Sequence, residues 1–218
     1  MAGIAFLFSG QGAQYPGMGK ALYEYSPAAR DILDRLNARR GDLLDLCFDG
    51  TAEELSRTEN TQPAVYAVDL AAAAAAREAG MAPNAAAGFS LGELAALAYA
   101  GYYSAETGFD LVCRRAALMA EAAAKNPGAM LAVLRMETET VEALCQGRTL
   151  YPVNYNCPGQ LVVAGSPEDI EYLQEAVKEA KGRSILLPVS GGFHSPFMNE
   201  AATRMKEELA KMDFQEPR

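Results

Sequence analysis

The stretch Gly88-Phe89-Ser90-Leu91-Gly92 most narrows what this chain can become. An apolar lead-in, Ala85 to Ala87, precedes it, and a helix-forming run, Glu93 to Ala100, follows. The G-x-S-x-G spacing predicts a strand that turns sharply into a helix with a serine at the corner. Glycines on either side let the backbone make that turn, so the Ser90 hydroxyl projects outward. The N–H of Leu91, at the start of the helix, would point where a developing oxyanion could sit. The same five residues also arise by chance in a chain rich in alanine and glycine. The strand and helix patterns around them are what favour a nucleophile.

A chain of 218 residues can bury a core in one domain, or in one domain with a small insert. Its net charge of −9 argues against nucleic acid and against an anionic membrane surface as partners. The four cysteines, Cys47, Cys113, Cys145 and Cys157, form no C-x-x-C pair, which predicts reduced thiols and no metal site. The apolar run from Met1 to Phe8 is too short for a signal peptide and lacks a basic leader. Ala71 to Ala76 is bracketed by Asp69 and Arg77, far short of the roughly 20 residues that span a bilayer. A soluble, cytoplasmic protein is expected.

Read in order, Ile4–Phe8 predicts a buried strand leading into Ser9-Gly10-Gln11-Gly12-Ala13-Gln14. That loop lacks the endings of the known phosphate-binding glycine motifs, so by itself it reads as a turn. Helices are predicted at Ala21–Tyr25, Ala28–Arg39, Asp42–Phe48 and Gln62–Ala79, the last with Thr61 as N-cap, Pro63 in the first turn and Gly80 as the stop. Ala85–Gly88 is the second strand, and the helix after Ser90 ends at Gly101. Ser104 caps a long helix to Lys125. From Ala129 the pattern becomes strand, helix (Thr138–Cys145), two strands (Leu150–Tyr155 and Gln160–Gly165), helix (capped by Ser166, to Lys181) and strand (Ser184–Pro188). The order β-α-β-β-α-β is that of a ferredoxin-like split unit inserted at 128–188. Ser195-Pro196 then opens a last helix to about Met212.

Two further residues draw attention. Arg115 lies among Leu111, Val112, Leu118 and Met119, on the apolar stripe of its helix. A guanidinium facing inward needs a carboxylate, either from an internal Asp or Glu or from a substrate held by paired hydrogen bonds. Buried charges are usually paired within the protein, which favours the internal partner. His194 is the single histidine, in the glycine-rich loop Val189–Pro196. A lone histidine is more often structural or solvated, yet a serine nucleophile needs a base that titrates near neutral pH. If Ser90 is a nucleophile, His194 is its base by elimination.

Several segments converge. Ser9–Gln14, Thr61-Gln62-Pro63-Ala64, Gly88–Glu93, Arg115, Gly128-Ala129-Met130, Asn154–Gln160 and Phe193-His194-Ser195-Pro196 resemble, in register over essentially the whole chain, the malonyl-CoA:acyl carrier protein transacylases and the acyltransferase domains of fatty-acid and polyketide synthases. The resemblance implies an α/β fold: an α/β-hydrolase-like large subdomain with a parallel sheet (1–127 and 189–218) and a ferredoxin-like small subdomain (128–188). It implies catalysis by Ser90 and His194, with the backbone N–H groups of Gln11 and Leu91 as the oxyanion hole. The first glycine loop thus becomes more than a turn. Arg115 would clamp the malonyl carboxylate, reversing the preference above, and Gln62, Asn154, Asn156 and Phe193 would lie around the substrate. Malonyl-CoA is the implied substrate and acyl carrier protein, with its phosphopantetheine thiol, the implied partner. No permanently bound cofactor or metal is implied, and a monomer is expected with the C-terminal segment present. Lys178, Lys181 and Arg183 could meet an acidic carrier, or simply form a solvated helix end.

The sequence departs from the family at two points. Phe89 stands where most relatives carry histidine, implying altered packing beside the nucleophile. Relatives also continue beyond the point matching Asp213–Arg218, with a segment that joins the large subdomain's sheet and orients the histidine. Two other readings compete. A serine hydrolase would need an acid between Ser90 and His194, and Asp169 and Glu171 qualify by order but lie on a helix. A truncated fragment would label on serine without transferring, and comparison with a chain extended at its C-terminus would reveal it.

Overall fold

The computed structural model describes residues 3–217, so expectations touching Met1, Ala2 and Arg218 lie outside the described residues. Packing divides the chain into two compact units: Met1–Ala117 with Glu207–Arg218, and Leu118–Lys206. The sequence places its seams in loops at 127/128 and 188/189. The seams found by packing fall instead inside two helices, because Leu118, Met119, Ala122 and Ala123 belong to the apolar cluster of the second unit.

In the first unit, β1 (Ala5–Phe8) is followed by α1 (Lys20–Tyr25), α2 (Pro27–Arg40), α3 (Leu43–Asp49), α4 (Ala52–Ser56) and α5 (Thr58–Glu78). α4 has no counterpart in the sequence expectations, although a capping box marks its start: Thr51 accepts from the Glu54 N–H while Glu54 reaches back to the Thr51 N–H. α5 begins at Thr58, earlier than expected, so Thr61 is not its cap. Thr61 is buried, and its hydroxyl donates to the carbonyls of Leu55 and Arg57. Pro63 consequently lies inside the helix. Having no N–H, it leaves the Glu59 carbonyl one turn back without its helical donor. Arg40 supplies one, donating from Nη1 to that carbonyl at 2.9 Å.

After α5, β2 (Ala85–Gly88) pairs parallel with β1, Ala5 opposite Ala85 and Phe8 opposite Gly88. α6 (Leu91–Ala100) and α7 (Ala105–Lys125) follow, α7 capped by Ser104 accepting from the Thr107 N–H at 3.0 Å. The core gathers Phe8, Leu33, Leu36, Leu43, Tyr66, Leu91 and Val112. Fully burying each such side chain stabilises by about 1.5–3 kcal/mol relative to exposure.

The second unit contains β3 (Ala129–Leu134), α8 (Thr138–Cys145), β4 (Leu150–Cys157), β5 (Gln160–Gly165), α9 (Pro167–Glu179) and β6 (Arg183–Leu186). The strands form one antiparallel sheet in the order β4-β5-β3-β6. This is the ferredoxin-like arrangement, with the first and third strands of the unit in the middle. Period-2 alternation gives the sheet two apolar faces. Leu131, Val133, Leu161 and Val163 pack with Val141, Ile170, Leu173 and Val177 of α8 and α9. Met130, Ala132, Val162 and Ala164 pack with Leu118, Met119, Phe193 and Met198. A 3-10 turn (Pro196–Met198), capped by Ser195, precedes α10 (Asn199–Leu209). Among the described residues no helix is long and apolar enough to cross a membrane.

Candidate functional site

The corner at Ser90 is set by two glycines that no other residue could replace. A Cβ on Gly88 would lie 2.0 Å from the carbonyl carbon of Gly92, and a Cβ on Gly92 would lie 2.1 Å from the Phe8 carbonyl oxygen. The end of β2 and the start of α6 therefore approach as closely as backbone can. Ser90 is left at φ 52° and ψ −104°, a conformation L residues avoid. Such an elbow lifts the hydroxyl clear of strand and helix. Leu91 is the first residue of α6, so its N–H has no acceptor within the helix.

The glycine loop after β1 packs on this elbow. The Phe89 N–H donates to the Phe8 carbonyl at 3.1 Å. A Cβ on Gly10 would meet the Phe89 carbonyl oxygen at 2.7 Å and its ring at 2.8 Å. Phe89 itself is half exposed, with its ring against Gly10. Gln14 braces the loop by accepting from the Gly12 N–H at 2.7 Å, and Gln11 and Gly12 form the turn that the Ala13 N–H closes onto the Gly10 carbonyl at 3.4 Å.

Arg115 and Gln62 complete the cluster in this unit. Arg115 donates to Gln62 Oε1 at 2.5 Å and to Ser90 Oγ at 3.4 Å. Gln62 is fully buried, so the guanidinium is anchored at one end by a fixed amide. Among the described residues no carboxylate forms an ion pair with Arg115, unlike its neighbour Arg114, which is exposed and pairs with Glu208 at 3.3 Å. Burial pulls the Arg115 pKa below its ordinary value, with the more distant Glu93 opposing. Among the described residues, the internal salt bridge that residue statistics favour is not made. What remains is a half-buried cation beside a serine hydroxyl, suited to an anionic group on a bound molecule.

The other expected site residues lie in the second unit. His194 is exposed and adopts φ 62° in the loop ahead of the Ser195 cap. Phe193, beside it, is only 5% exposed and packs in the core, so its side chain anchors that loop. Asn154 is half-buried and Asn156 exposed on β4, flanked by irregular register. Asp169, the acid a hydrolase would need, is held at the start of α9 by Arg148, the Thr149 N–H and Ser166. Lys178 pairs with Glu175 on its own helix.

Three of the four thiols are muted as competing nucleophiles. Burial pushes the Cys47 thiol up to about 12 and those of Cys113 and Cys145 up to about 11, so none is a thiolate near neutral pH. All four cysteines are free. Among the described residues no group of three His, Cys, Asp or Glu side chains is placed to hold a metal ion. Asp69 is the polar residue that sequence reasoning passed over. It lies seven positions after Gln62, hence on the same face of α5, and that spacing was the available signal.

A serine elbow on a parallel strand pair, with a separate ferredoxin-like unit, defines a two-unit α/β protein of the acyltransferase class. The chain belongs to the acyl transferase domain family, whose model matches residues 5–218. It is 40% identical over 223 aligned positions to the malonyl CoA-acyl carrier protein transacylase of Bacillus subtilis, covering 99% of this chain and 70% of that protein. The crystal structure of the malonyl CoA-acyl carrier protein transacylase from Clostridium perfringens superposes with a TM-score of 0.92 at 37% identity, over 99% of this chain and 70% of that one. A malonyl-transacylase solved in complex with its type II polyketide acyl-carrier protein matches with a TM-score of 0.92 at 35% identity, over 99% and 72%.

Proposed function

We propose that this chain moves a malonyl group from coenzyme A to the phosphopantetheine thiol of an acyl carrier protein, in fatty-acid or polyketide synthesis. Similarity to transacylases over nearly the whole chain supports the reaction. One observation supports the choice of acyl group: a half-buried guanidinium, Arg115, reaches the Ser90 hydroxyl and has no internal carboxylate partner among the described residues. A malonyl thioester carries a carboxylate that such a cation can hold while its carbonyl meets the serine.

The assigned roles follow from that placement and from the chemistry of each group. Ser90 Oγ attacks the thioester carbonyl as His194, the single imidazole, takes its proton. The N–H groups of Gln11 and Leu91 carry the oxyanion of the tetrahedral intermediate. Collapse breaks the C–S bond, and the leaving thiolate takes the proton from His194. The malonyl-serine ester is then attacked by the carrier's thiol, which gives its proton to His194, and collapse returns that proton to Ser90. Gln62 holds Arg115 against the malonyl carboxylate throughout. Asn154, Asn156 and Phe193 are assigned to substrate contact or its support, no permanently bound cofactor is required, and the cytoplasm is the assigned compartment.

Labelling with malonyl-CoA tests the reading. Intact mass should show one malonyl group on the chain and none on Ser90→Ala. Arg115→Ala should weaken malonyl binding by about 2–5 kcal/mol and move preference toward uncharged acyl groups. Equal labelling of Ser90→Ala, or an unchanged acyl preference in Arg115→Ala, would overturn it.

A further inference from the structure

Gly108 stands two helical turns before Arg115 on α7, so the two share a face of that helix. Facing them is α5, which carries Tyr66 one turn after Gln62. The helices are joined at both points. Gln62 accepts from the Arg115 guanidinium, and the Tyr66 hydroxyl donates to the Ala105 carbonyl at 3.0 Å. The rings of Tyr66 and Phe109 add a contact with centroids 6.3 Å apart. A buried glycine inside a helix gives up chain entropy that alanine would not, and it packs no side chain. Gly108 therefore calls for a packing reason.

The reason is space. A Cβ on Gly108 would lie 2.5 Å from Cε2 of Tyr103 and closer still to the Tyr66 hydroxyl oxygen. Neither tyrosine can retreat. Tyr66 is fully buried and Tyr103 nearly so. The Tyr103 hydroxyl donates to the Leu94 carbonyl of α6 at 2.9 Å, and Phe214 packs on its ring at 6.3 Å. α7 thus passes both tyrosines at a separation that leaves no room for a methyl group, and Arg115 follows about 10 Å further along its axis. We propose that Gly108 is a specificity-determining position: its missing side chain lets α7 close on Tyr66 and Tyr103, and that crossing sets Arg115 within reach of Gln62 and the Ser90 hydroxyl. A methyl at 108 lifts α7 from both tyrosines, because close-packed interiors answer overpacking by shifting backbone. Arg115 then withdraws from the acyl site, while Ser90 stays on the elbow set by Gly88 and Gly92. The inference rests on the roles assigned above to Ser90 and Arg115.

The test uses the full chain and five variants: Gly108→Ala, Tyr66→Phe, Arg115→Ala, and Gly108→Ala combined with each of the other two. Ser90 acylation is followed against the concentration of malonyl-CoA and, separately, of acetyl-CoA. Gly108→Ala should raise the half-saturating malonyl-CoA concentration roughly 10-fold, as a charge-assisted partner moves away. Acetyl-CoA has no carboxylate for Arg115, so its half-saturation should stay within about two-fold. A merely structural loss would weaken both substrates alike. Tyr66→Phe adds no atom but drops the bond to Ala105, so a malonyl-selective loss of roughly two- to five-fold is expected. Combined with Gly108→Ala it removes the closest obstruction, and the double variant should lie nearer the wild type than Gly108→Ala does. Added to Arg115→Ala, Gly108→Ala should leave the malonyl-to-acetyl ratio unchanged, because it acts through that guanidinium.

Wild-type half-saturation by malonyl-CoA in Gly108→Ala overturns the proposal, as do equal losses for the two substrates. No recovery on adding Tyr66→Phe, or a further change of ratio on top of Arg115→Ala, also overturns it. If Gly108→Ala does not fold, Tyr66→Phe carries the comparison: a malonyl-selective loss supports the proposal and an unchanged ratio overturns it. Equal labelling of Ser90→Ala, or an unchanged preference in Arg115→Ala, would remove the acyl-transfer reading instead. A crystal structure of Gly108→Ala would still decide whether the methyl parts Arg115 from Gln62.

Discussion

Gln62 Oε1 accepts a hydrogen bond from the Arg115 guanidinium at 2.5 Å, joining residues 53 positions apart on α5 and α7. The partner is neutral. It orients the guanidinium without cancelling its charge, so the cation stays available to a ligand.

Replacing that amide should therefore separate orientation from charge. Gln62→Ala removes a hydrogen bond to a charged group, worth about 1.5–3 kcal/mol, and should raise the half-saturating malonyl-CoA concentration by roughly 10-fold or more. Gln62→Glu should be worse, since an internal ion pair would compete with the malonyl carboxylate. Saturation curves for the two variants decide it. A Gln62→Glu protein that binds malonyl-CoA like the wild type would show that Arg115 is not the anion site.

Ser90 holds φ 52°, where glycine is at ease and serine is strained. Relief of such strain is worth about 1–3 kcal/mol, so Ser90→Gly should unfold at higher urea while losing malonyl labelling entirely. A variant no more stable than Ser90→Ala would indicate that the elbow carries no strain.

Asp69 makes stability depend on pH. Burial raises its carboxyl from the ordinary 3.8 to about 7, with Ser9 pulling the other way. The folded protein thus keeps this proton to higher pH than the unfolded chain does. Its contribution is complete below pH 4 and is lost as pH rises through 7. Asp69→Asn carries no ionisable group there. It should melt above the wild type at pH 8 and close to it at pH 4, by calorimetry or circular dichroism. A difference in melting temperature that does not change between those pH values would rule the buried carboxylate out as the cause.

Arg40 compensates for Pro63. Besides the Glu59 carbonyl it binds Asn60 Oδ1 at 2.5 Å and Asp42 Oδ1 at 2.6 Å. Arg40→Ala should cost about 1–3 kcal/mol, part of it from the stranded carbonyl. Pro63→Ala restores an N–H one turn on, so the loss should be smaller in that background. Urea unfolding of the four proteins gives the coupling, and strict additivity would mean that Arg40 acts elsewhere.

Much of the local structure was legible beforehand. Ala85–Gly88, Ala129–Leu134, Thr138–Cys145 and Gln160–Gly165 appear with the expected bounds, because alternation, caps and turn glycines act within a few residues. α5 departs from the local expectation where a distant residue intervenes: Arg40 lets Pro63 sit inside the helix, and no rule about proline and its near neighbours contains that donor. Arg115 is a similar case. Its position on an apolar stripe demanded a partner but could not name one.

By itself, then, the sequence determined the elbow: Gly88, Ser90 and Gly92 dictate a strand, a strained serine and a helix through contacts among neighbours. Tertiary structure alone decided what surrounds that serine. Gln62 meets Arg115 because α5 runs past α7 where the arginine faces the elbow. Hydrogen bonds between residues so far apart in the chain depend on where whole helices pack, and local propensity carries no information about that.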